Sequence, residues 1–372
     1  LHRERIFWLS WSQISGIGPI LLKRLHQKFG SLETAWQASS GDLRQVEGFG
    51  EQVLKKVLEG RSHLDPIAFY QQHSLTNPNF WTPADPEYPR LLLEIPDPPP
   101  VLYYRGQVDL AENRGIKPLI AIVGTRDPSD YGKRWTCKIS TALAASGFTV
   151  VSGMAEGIDT EAHSASLYTK GRTIAVLGTG VDIVYPPRNR NLHGQIQEYG
   201  LIVSEYPAGT QPNRPHFPRR NRIIAGLSRA TIVMEAPSKS GALITAYLAN
   251  DYCRDVYVLP GSLDNPKAIG CLGLLSKGAQ IFLNEGHLLE MLGKTPKLDA
   301  PQQLSLFNPP VAVPTLPPRL QSVFDVISSE ATSFDLIIEK SGLAAGEVSS
   351  ALLELELEGA IAQLPGMRYQ KT

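Results

Sequence analysis

An α/β fold with a Rossmann-like, mostly parallel sheet at its centre is predicted for this chain by three observations. Seven short apolar runs rich in β-branched residues recur through the middle of the sequence: Leu119–Val123, Phe148–Val151, Thr173–Leu177, Leu201–Val203, Ala230–Met234, Asp255–Leu259 and Gln280–Leu283. Runs without polar alternation suit strands buried on both faces. Helical stretches separate them, among them Lys133–Ala145, Asp159–Tyr168 and Ala242–Asp251, and regular β-then-α alternation builds a doubly wound parallel sheet. Proline clusters at Pro78–Pro100 and Pro296–Pro318 set this middle apart from a small block on either side, because proline cannot continue a helix and suits extended connections. The expected division is 1–75, a helical domain; 76–295, the extended Rossmann-like domain; 296–316, a proline-rich linker; and 317–372, a winged-helix domain.

The first block carries two similar signals. Ile14-Ser15-Gly16-Ile17-Gly18-Pro19 precedes Leu21, Leu25 and Phe29 at helical spacing, and Val46-Glu47-Gly48-Phe49-Gly50 precedes Val53, Leu54, Val57 and Leu58. Gly–apolar–Gly between two helices predicts a helix-hairpin-helix (SAM-like) domain. Its glycines permit a tight turn, and amides at the next helix start suit a phosphate. Few basic residues flank either hairpin, so packing is the favoured role. The last block predicts helices over Arg319–Ser328, Ser333–Ser341 and Gly346–Glu358, with Gly342 at a turn, and then a two-stranded wing through Ile361–Leu364, Pro365-Gly366 and Met367–Tyr369. That order is a winged helix. Its third helix carries Glu347, Glu354, Glu356 and Glu358, which would repel phosphates, so protein contact or dimerisation is favoured over duplex reading.

Composition narrows the function classes. Apolar residues make up 42% and charged residues 19%, ample for cores and against a disordered chain. Net charge is zero, so any nucleic-acid footprint must be local. Cys137, Cys253 and Cys271 are far apart and form no CxxC, which argues against zinc and a disulfide framework and fits a reducing cytoplasm. No apolar run approaches the ~18 residues of a membrane span, and the stretch after Leu1-His2-Arg3-Glu4-Arg5 is broken by Ser and Gln, unlike a signal peptide.

Ligands of open parallel sheets sit at the C-terminal strand ends. Here those ends read Gly124-Thr125-Arg126, Ser152-Gly153-Met154-Ala155-Glu156-Gly157, Gly178-Thr179-Gly180, Ser204-Glu205-Tyr206, Glu235-Ala236-Pro237-Ser238-Lys239-Ser240-Gly241 and Pro260-Gly261. Small residues let a ligand approach the backbone, and helix starts aim amides at anions. No GxGxxG and no GxxxxGK[ST] is present, so neither a dehydrogenase nor a P-loop motor is supported. Instead, Tyr206 to Met234 contains no acidic residue and five arginines: Arg214, Arg219, Arg220, Arg222 and Arg229. Arginines with an interleaved aromatic, here Phe217 between His216 and Pro218, are the usual platform for single-stranded nucleic acid. Some of these arginines, Arg220 and Arg222 above all, could equally pair with carboxylates inside the fold. Asp159 and His163 lack a third metal ligand and a matching nucleophile, so a helix cap by Asp159 and a structural hydrogen bond by His163 are expected.

These residues also carry a family resemblance. Ile122-Val123-Gly124-Thr125-Arg126, Ser152-Gly153-Met154-Ala155-Glu156-Gly157-Ile158-Asp159 with Ala162-His163, Thr173-Ile174-Ala175-Val176-Leu177-Gly178, Asp182 with Tyr185-Pro186, Ser204-Glu205-Tyr206-Pro207, Phe217–Ser228, Glu235-Ala236 and Ser240-Gly241 resemble the DNA-processing protein A (DprA/Smf) family. Pro100–Gly106 fits its entry strand, and the resemblance runs from about Asp85 to Leu292. It implies a dimeric, non-enzymatic protein that binds incoming single-stranded DNA during natural transformation, protects it and loads the RecA recombinase. It also implies a DNA pocket at Arg126, Ser152-Gly153, Arg214 and Phe217. With the strand-end chemistry, the expected site comprises Gly124, Thr125, Arg126, Ser152, Gly153, Arg214, Phe217, Arg219, Arg220, Asn221, Arg222, Lys239, Ser240 and Gly241, with no catalytic residue, metal or cofactor.

Two positions depart from the family pattern. Glu156 stands where an arginine is usual, which weakens the local positive field, and Gly270-Cys271-Leu272 replaces a Gly-Thr/Ser-Asn turn. The competing reading is a nucleotide-hydrolysing enzyme of the lysine-decarboxylase-like phosphoribohydrolase group, which shares the fold class. Its Pro-Gly-Gly-x-Gly-Thr loop is absent at Pro260-Gly261-Ser262-Leu263-Asp264. A pure protein scaffold would leave the arginine–phenylalanine segment unexplained.

Overall fold

The computed structural model describes residues 2–293, 317–328, 332–357, 360–364 and 367–371. The chain divides into two compact units, Leu1–Pro301 and Gln302–Thr372. The expected linker, 296–316, and the wing tip Pro365-Gly366 lie outside the described residues, as does Glu358.

Nine strands form the sheet of the first unit: β1 (Phe80–Trp81), β2 (Leu102–Gly106), β3 (Leu119–Val123), β4 (Thr149–Ser152), β5 (Thr173–Leu177), β6 (Leu201–Ser204), β7 (Ala230–Val233), β8 (Asp255–Val258) and β9 (Gln280–Ile281). Their order is β1-β2-β6-β5-β4-β3-β7-β8-β9. All seven predicted strands pair in parallel, and β1 and β2 add an antiparallel edge through Phe80↔Tyr103 and Tyr103↔Ser204. The proline cluster before β2 is therefore packed chain: Tyr88 donates from its hydroxyl to the Pro99 carbonyl at 2.8 Å. From β3 the chain winds outward through β4, β5 and β6, then returns to the other side of β3 as β7, so the strand order reverses between β3 and β7.

Strand periodicity feeds two cores. Leu119, Ala121 and Val123 point to one face, under Ile223 and Ile224 of helix His216–Leu227 and Leu243 and Ala246 of helix Gly241–Asp251. Ile120 and Ile122 point to the other, under Ile139, Leu143, Ile158 and Ala162 of helices Asp130–Ala145 and Ile158–Tyr168. Burying each large apolar side chain contributes about 1.5–3 kcal/mol, which is why both faces can dispense with polar alternation.

The helical block carries its own core of Trp11, Leu22, Leu25, Leu43, Leu54 and Val57. Its two hairpins form as predicted: Gly16 and Gly48 take φ of +90° and +95°, and Gly18 and Gly50 cap helices Pro19–Phe29 and Glu51–His63. Leu9 of its first helix joins Phe80 and Tyr103 in a further core cluster, and Arg5 lies over the Phe80 ring at 4.1 Å, which ties this block to the sheet edge.

In the second unit, helices Pro318–Val326, Phe334–Ser341 and Ala345–Leu357 and strands Ile361–Leu364 and Arg368–Lys371 form the expected winged helix. Gly342 closes the second helix with φ of +68°. Glu347, Glu354 and Glu356 are exposed on the third.

Candidate nucleic-acid interface

The reversal between β3 and β7 is where an open α/β sheet leaves a crevice, and backbone packing shapes the loops around it. Thr125 donates its amide to the Glu235 carbonyl at 2.7 Å. The buried Glu235 carboxylate accepts from the Ser129 amide at 2.8 Å and from its hydroxyl at 2.6 Å, which pins the turn before helix Asp130–Ala145. Two glycines are required by close approach. A Cβ on Gly124 would lie 2.5 Å from Ile158, and Gly157, at φ +80°, would place one 2.5 Å from the Thr125 carbonyl. The turn thus presents Arg126 outward, exposed, at the mouth of the crevice.

The crevice is a groove of about 830 Å3. Phe217, half-buried, forms one wall and lies against Tyr185 with ring centroids 5.4 Å apart. The Arg126 guanidinium sits 5.8 Å from the Phe217 ring centre. Gly178 leaves room behind that ring, since a Cβ there would be 3.0 Å from Phe217 Cδ1. Arg214 and Lys239 line the groove as exposed cations. Among the described residues, Arg126, Arg214 and Lys239 enter no ion pair, whereas the acids near the rim are paired: Asp127 with Lys267 at 2.9 Å and Glu156 with Arg188 at 3.1 Å. The groove therefore keeps a positive balance that the chain's zero net charge hides.

Ten of the fourteen expected residues line this groove: Gly124, Thr125, Arg126, Arg214, Phe217, Arg220, Asn221, Lys239, Ser240 and Gly241. Gly153 lines an adjoining recess. Asn221 donates to the Gly241 carbonyl at 3.2 Å, and the Ser240 hydroxyl caps its helix by accepting from Ala242. Three expected residues are placed otherwise. Ser152 is fully buried and donates its hydroxyl to the Ile122 carbonyl at 2.6 Å, a strand-to-strand tie. Arg222 is held by Glu205 at 2.8 Å and Asp97 at 3.0 Å, so its charge is spent inside the fold. Arg219 is exposed, 3.7 Å from Glu205, away from the groove lining.

Arg220 is at the groove but not on the surface. Only 4% exposed, it donates to the carbonyls of Gly153, at 2.6 Å, and of Val176. Burial lowers its pKa to about 10, partly offset by Asp159, so it stays cationic at neutral pH and gives the groove floor a fixed positive charge. Arg229 is likewise buried, donating to the Gly115 carbonyl at 2.8 Å.

Asp159 is not the cap of its helix, as expected from sequence; Gly157 holds that position. Its carboxylate instead accepts from the amides of Gly153 and Ala155 at 3.1 and 3.2 Å, ordering the loop after β4. Burial raises its pKa, and the Arg220 charge opposes this. His163 makes the expected structural contact, with Nδ1 2.6 Å from Thr173 Oγ1, and burial lowers its pKa to about 3. Tyr185 was missed as a site residue, although an aromatic beside Pro186 and Pro187 carries the same signal that singled out Phe217.

Comparison with known proteins converges on one family. Residues 79–293 match the family model for DNA recombination-mediator protein A, and residues 307–367 match the model for the DprA winged helix domain. Protein Smf of Synechocystis sp. is 51% identical over an alignment covering 100% of this chain and 99% of that protein. The X-ray structure of DNA processing protein A from Streptococcus pneumoniae superposes with a TM-score of 0.67 at 33% identity, covering 77% of this chain and 97% of that one. DNA processing protein A from Helicobacter pylori, in a structure describing its single-stranded DNA binding mode, superposes with a TM-score of 0.52 at 33% identity, over 58% of this chain and 96% of that one. Sheet order, winged helix and full-length similarity together place this chain in the DNA recombination-mediator protein A (DprA/Smf) family.

Proposed function

We propose that the chain binds single-stranded DNA in the groove between the ends of β3 and β7. The observation that carries this reading is the joint placement of three cations that enter no ion pair among the described residues, Arg126, Arg214 and Lys239, with the half-buried Phe217 ring in one groove. Phosphates lie against the cations and the loop amides, and a base stacks on Phe217. A ring recessed in a groove is reached by an unpaired base and not by one stacked inside a duplex, which favours single strands. The Helicobacter pylori relative, whose structure concerns single-stranded DNA binding, supports the same reading.

The groove works as a binding surface without chemistry of its own. Ser240 caps a helix and Asp159 accepts from two amides, while Ser152 and His163, buried behind the groove, are tied to Ile122 and Thr173. In this proposal the protein acts in the cytoplasm as a homodimer, protecting DNA taken up during natural transformation and loading RecA onto it, in keeping with the mediator family to which it belongs. The acidic third helix of the winged-helix unit serves protein contact rather than duplex reading. Among the described residues no helix is long and apolar enough to cross a membrane.

A salt titration of binding to an oligo-dT and to a duplex of equal length tests the binding claim. The single strand is expected to bind more tightly, with affinity falling linearly in log salt. Equal or tighter binding of the duplex would overturn it.

A further inference from the structure

Beside the groove lies a smaller recess of about 210 Å3. It shares Arg126, Tyr185, Phe217 and Arg220 with the groove and adds Gly153 and Glu156. Its volume is below the roughly 300–1,000 Å3 of pockets for drug-sized ligands, so it suits one ring system rather than a whole nucleotide. Two polar groups give it direction. Glu156 Oε1 is 3.1 Å from Arg188 Nε, and its other oxygen enters no ion pair among the described residues. Arg220, 4% exposed, has an Nε–H with no hydrogen-bond partner among the described residues. Gly153 lets this guanidinium pack against the loop after β4, since a Cβ there would lie 2.6 Å from it. A hydrogen-bond acceptor and a buried cation thus line one recess with aromatic walls.

We infer that this recess reads one base of the bound strand, and that Glu156 is a specificity-determining residue favouring cytosine over thymine. The inference rests on the single-stranded DNA reading above. Cytosine presents an amino group as a donor for the Glu156 carboxylate, beside an electron-rich ring nitrogen suited to the positive charge of Arg220. Thymine presents a carbonyl oxygen where cytosine has its amino group, and that oxygen meets the carboxylate lone pairs. Arg188 offsets the charge of Glu156, so the carboxylate serves as an acceptor without repelling the phosphates held by Arg126. The departure of Glu156 from the family's usual arginine then exchanges part of a general positive field for discrimination between bases.

The test is fluorescence anisotropy at one salt concentration and mildly alkaline pH, with oligo-dC and oligo-dT of equal length. The ratio of dC to dT affinity is expected to fall roughly five-fold in Glu156→Ala. Arg126→Ala is expected to weaken both oligonucleotides alike. In the wild-type protein, replacing cytosine by N4,N4-dimethylcytosine is expected to remove the preference, a readout that needs no variant to fold. An unchanged ratio in Glu156→Ala, or undiminished binding of the dimethylated strand, would overturn the inference while leaving the binding proposal standing. Failure of the wild type to bind either strand would overturn the binding proposal and this inference with it.

Discussion

Arg222 and Arg220 on helix His216–Leu227, and Arg126 and Arg214 on the groove rim, carry the same group into opposite electrostatic settings. Arg222 is 4% exposed and lies between two carboxylates, and Arg220 donates to main-chain carbonyls. Arg126 and Arg214 are exposed and enter no ion pair among the described residues. A run of arginines in sequence therefore overstates the field available to a ligand. What binds phosphate is the charge that burial and pairing leave unbalanced. The buried arginines build the floor and hold the helix, and the exposed ones are those the proposed binding reading assigns to the polymer.

This contrast can be broken in order of size. Arg222→Ala leaves the Glu205 carboxylate, its side chain 5% exposed, with only the longer 3.7 Å contact to Arg219, and is expected to destabilise the fold by about 3–5 kcal/mol in urea unfolding. A loss within 1 kcal/mol would mean the pair is solvated and the division false. Phe217→Ala is expected to cost ~1–3 kcal/mol of oligo-dT affinity with little change in melting temperature, because the ring belongs to the groove and not to the core. A large stability loss without a binding loss would reverse that assignment.

The pH dependence sharpens the picture of the buried network. The His163 pKa in the fold, about 3, is depressed by burial and by the Arg220 charge below the ordinary value of 6.5. Between 6.5 and about 3 the unfolded chain takes up a proton that the folded chain refuses. Stability from this group therefore falls as pH falls, by up to about 1.4 kcal/mol per unit. Asp159, raised by burial, acts with the opposite sign near its ordinary value of 3.8. Denaturant unfolding at pH 7 and pH 5 should show the loss in the wild type and a flatter profile in His163→Gln. The smallest effect belongs to Arg219→Ala, whose exposed guanidinium, 3.7 Å from Glu205, is expected to contribute about 0–1 kcal/mol to stability.

Much of this was legible in the sequence, for physical reasons. Uninterrupted runs such as Leu119–Val123 read as buried strands because both faces of the sheet are covered. The groove was legible because glycines and arginines gather at strand ends, where Gly124 and Gly157 answer close backbone approach. Burial of the helix arginines was less so, although a signal exists. Arg220 precedes Ile223, Ile224 and Leu227 by three, four and seven residues, which puts it on the apolar stripe of its helix. The partners of Arg222 could not be read off: Asp97 and Glu205 lie far from it in sequence and meet it only through the fold. Strand β1 escaped for a similar reason, since Phe80-Trp81 is two residues long inside a proline-rich segment and is a strand only because β2 pairs with it.

The central claim, that the exposed arginines of the groove carry single-stranded DNA, is tested most directly by the salt dependence of oligo-dT binding in Arg126→Ala, Arg214→Ala and the double variant. Each single change is expected to weaken binding and lower the log–log salt slope by about 0.7, with the double variant losing about twice that. Slopes and affinities equal to wild type in all three proteins would contradict the account.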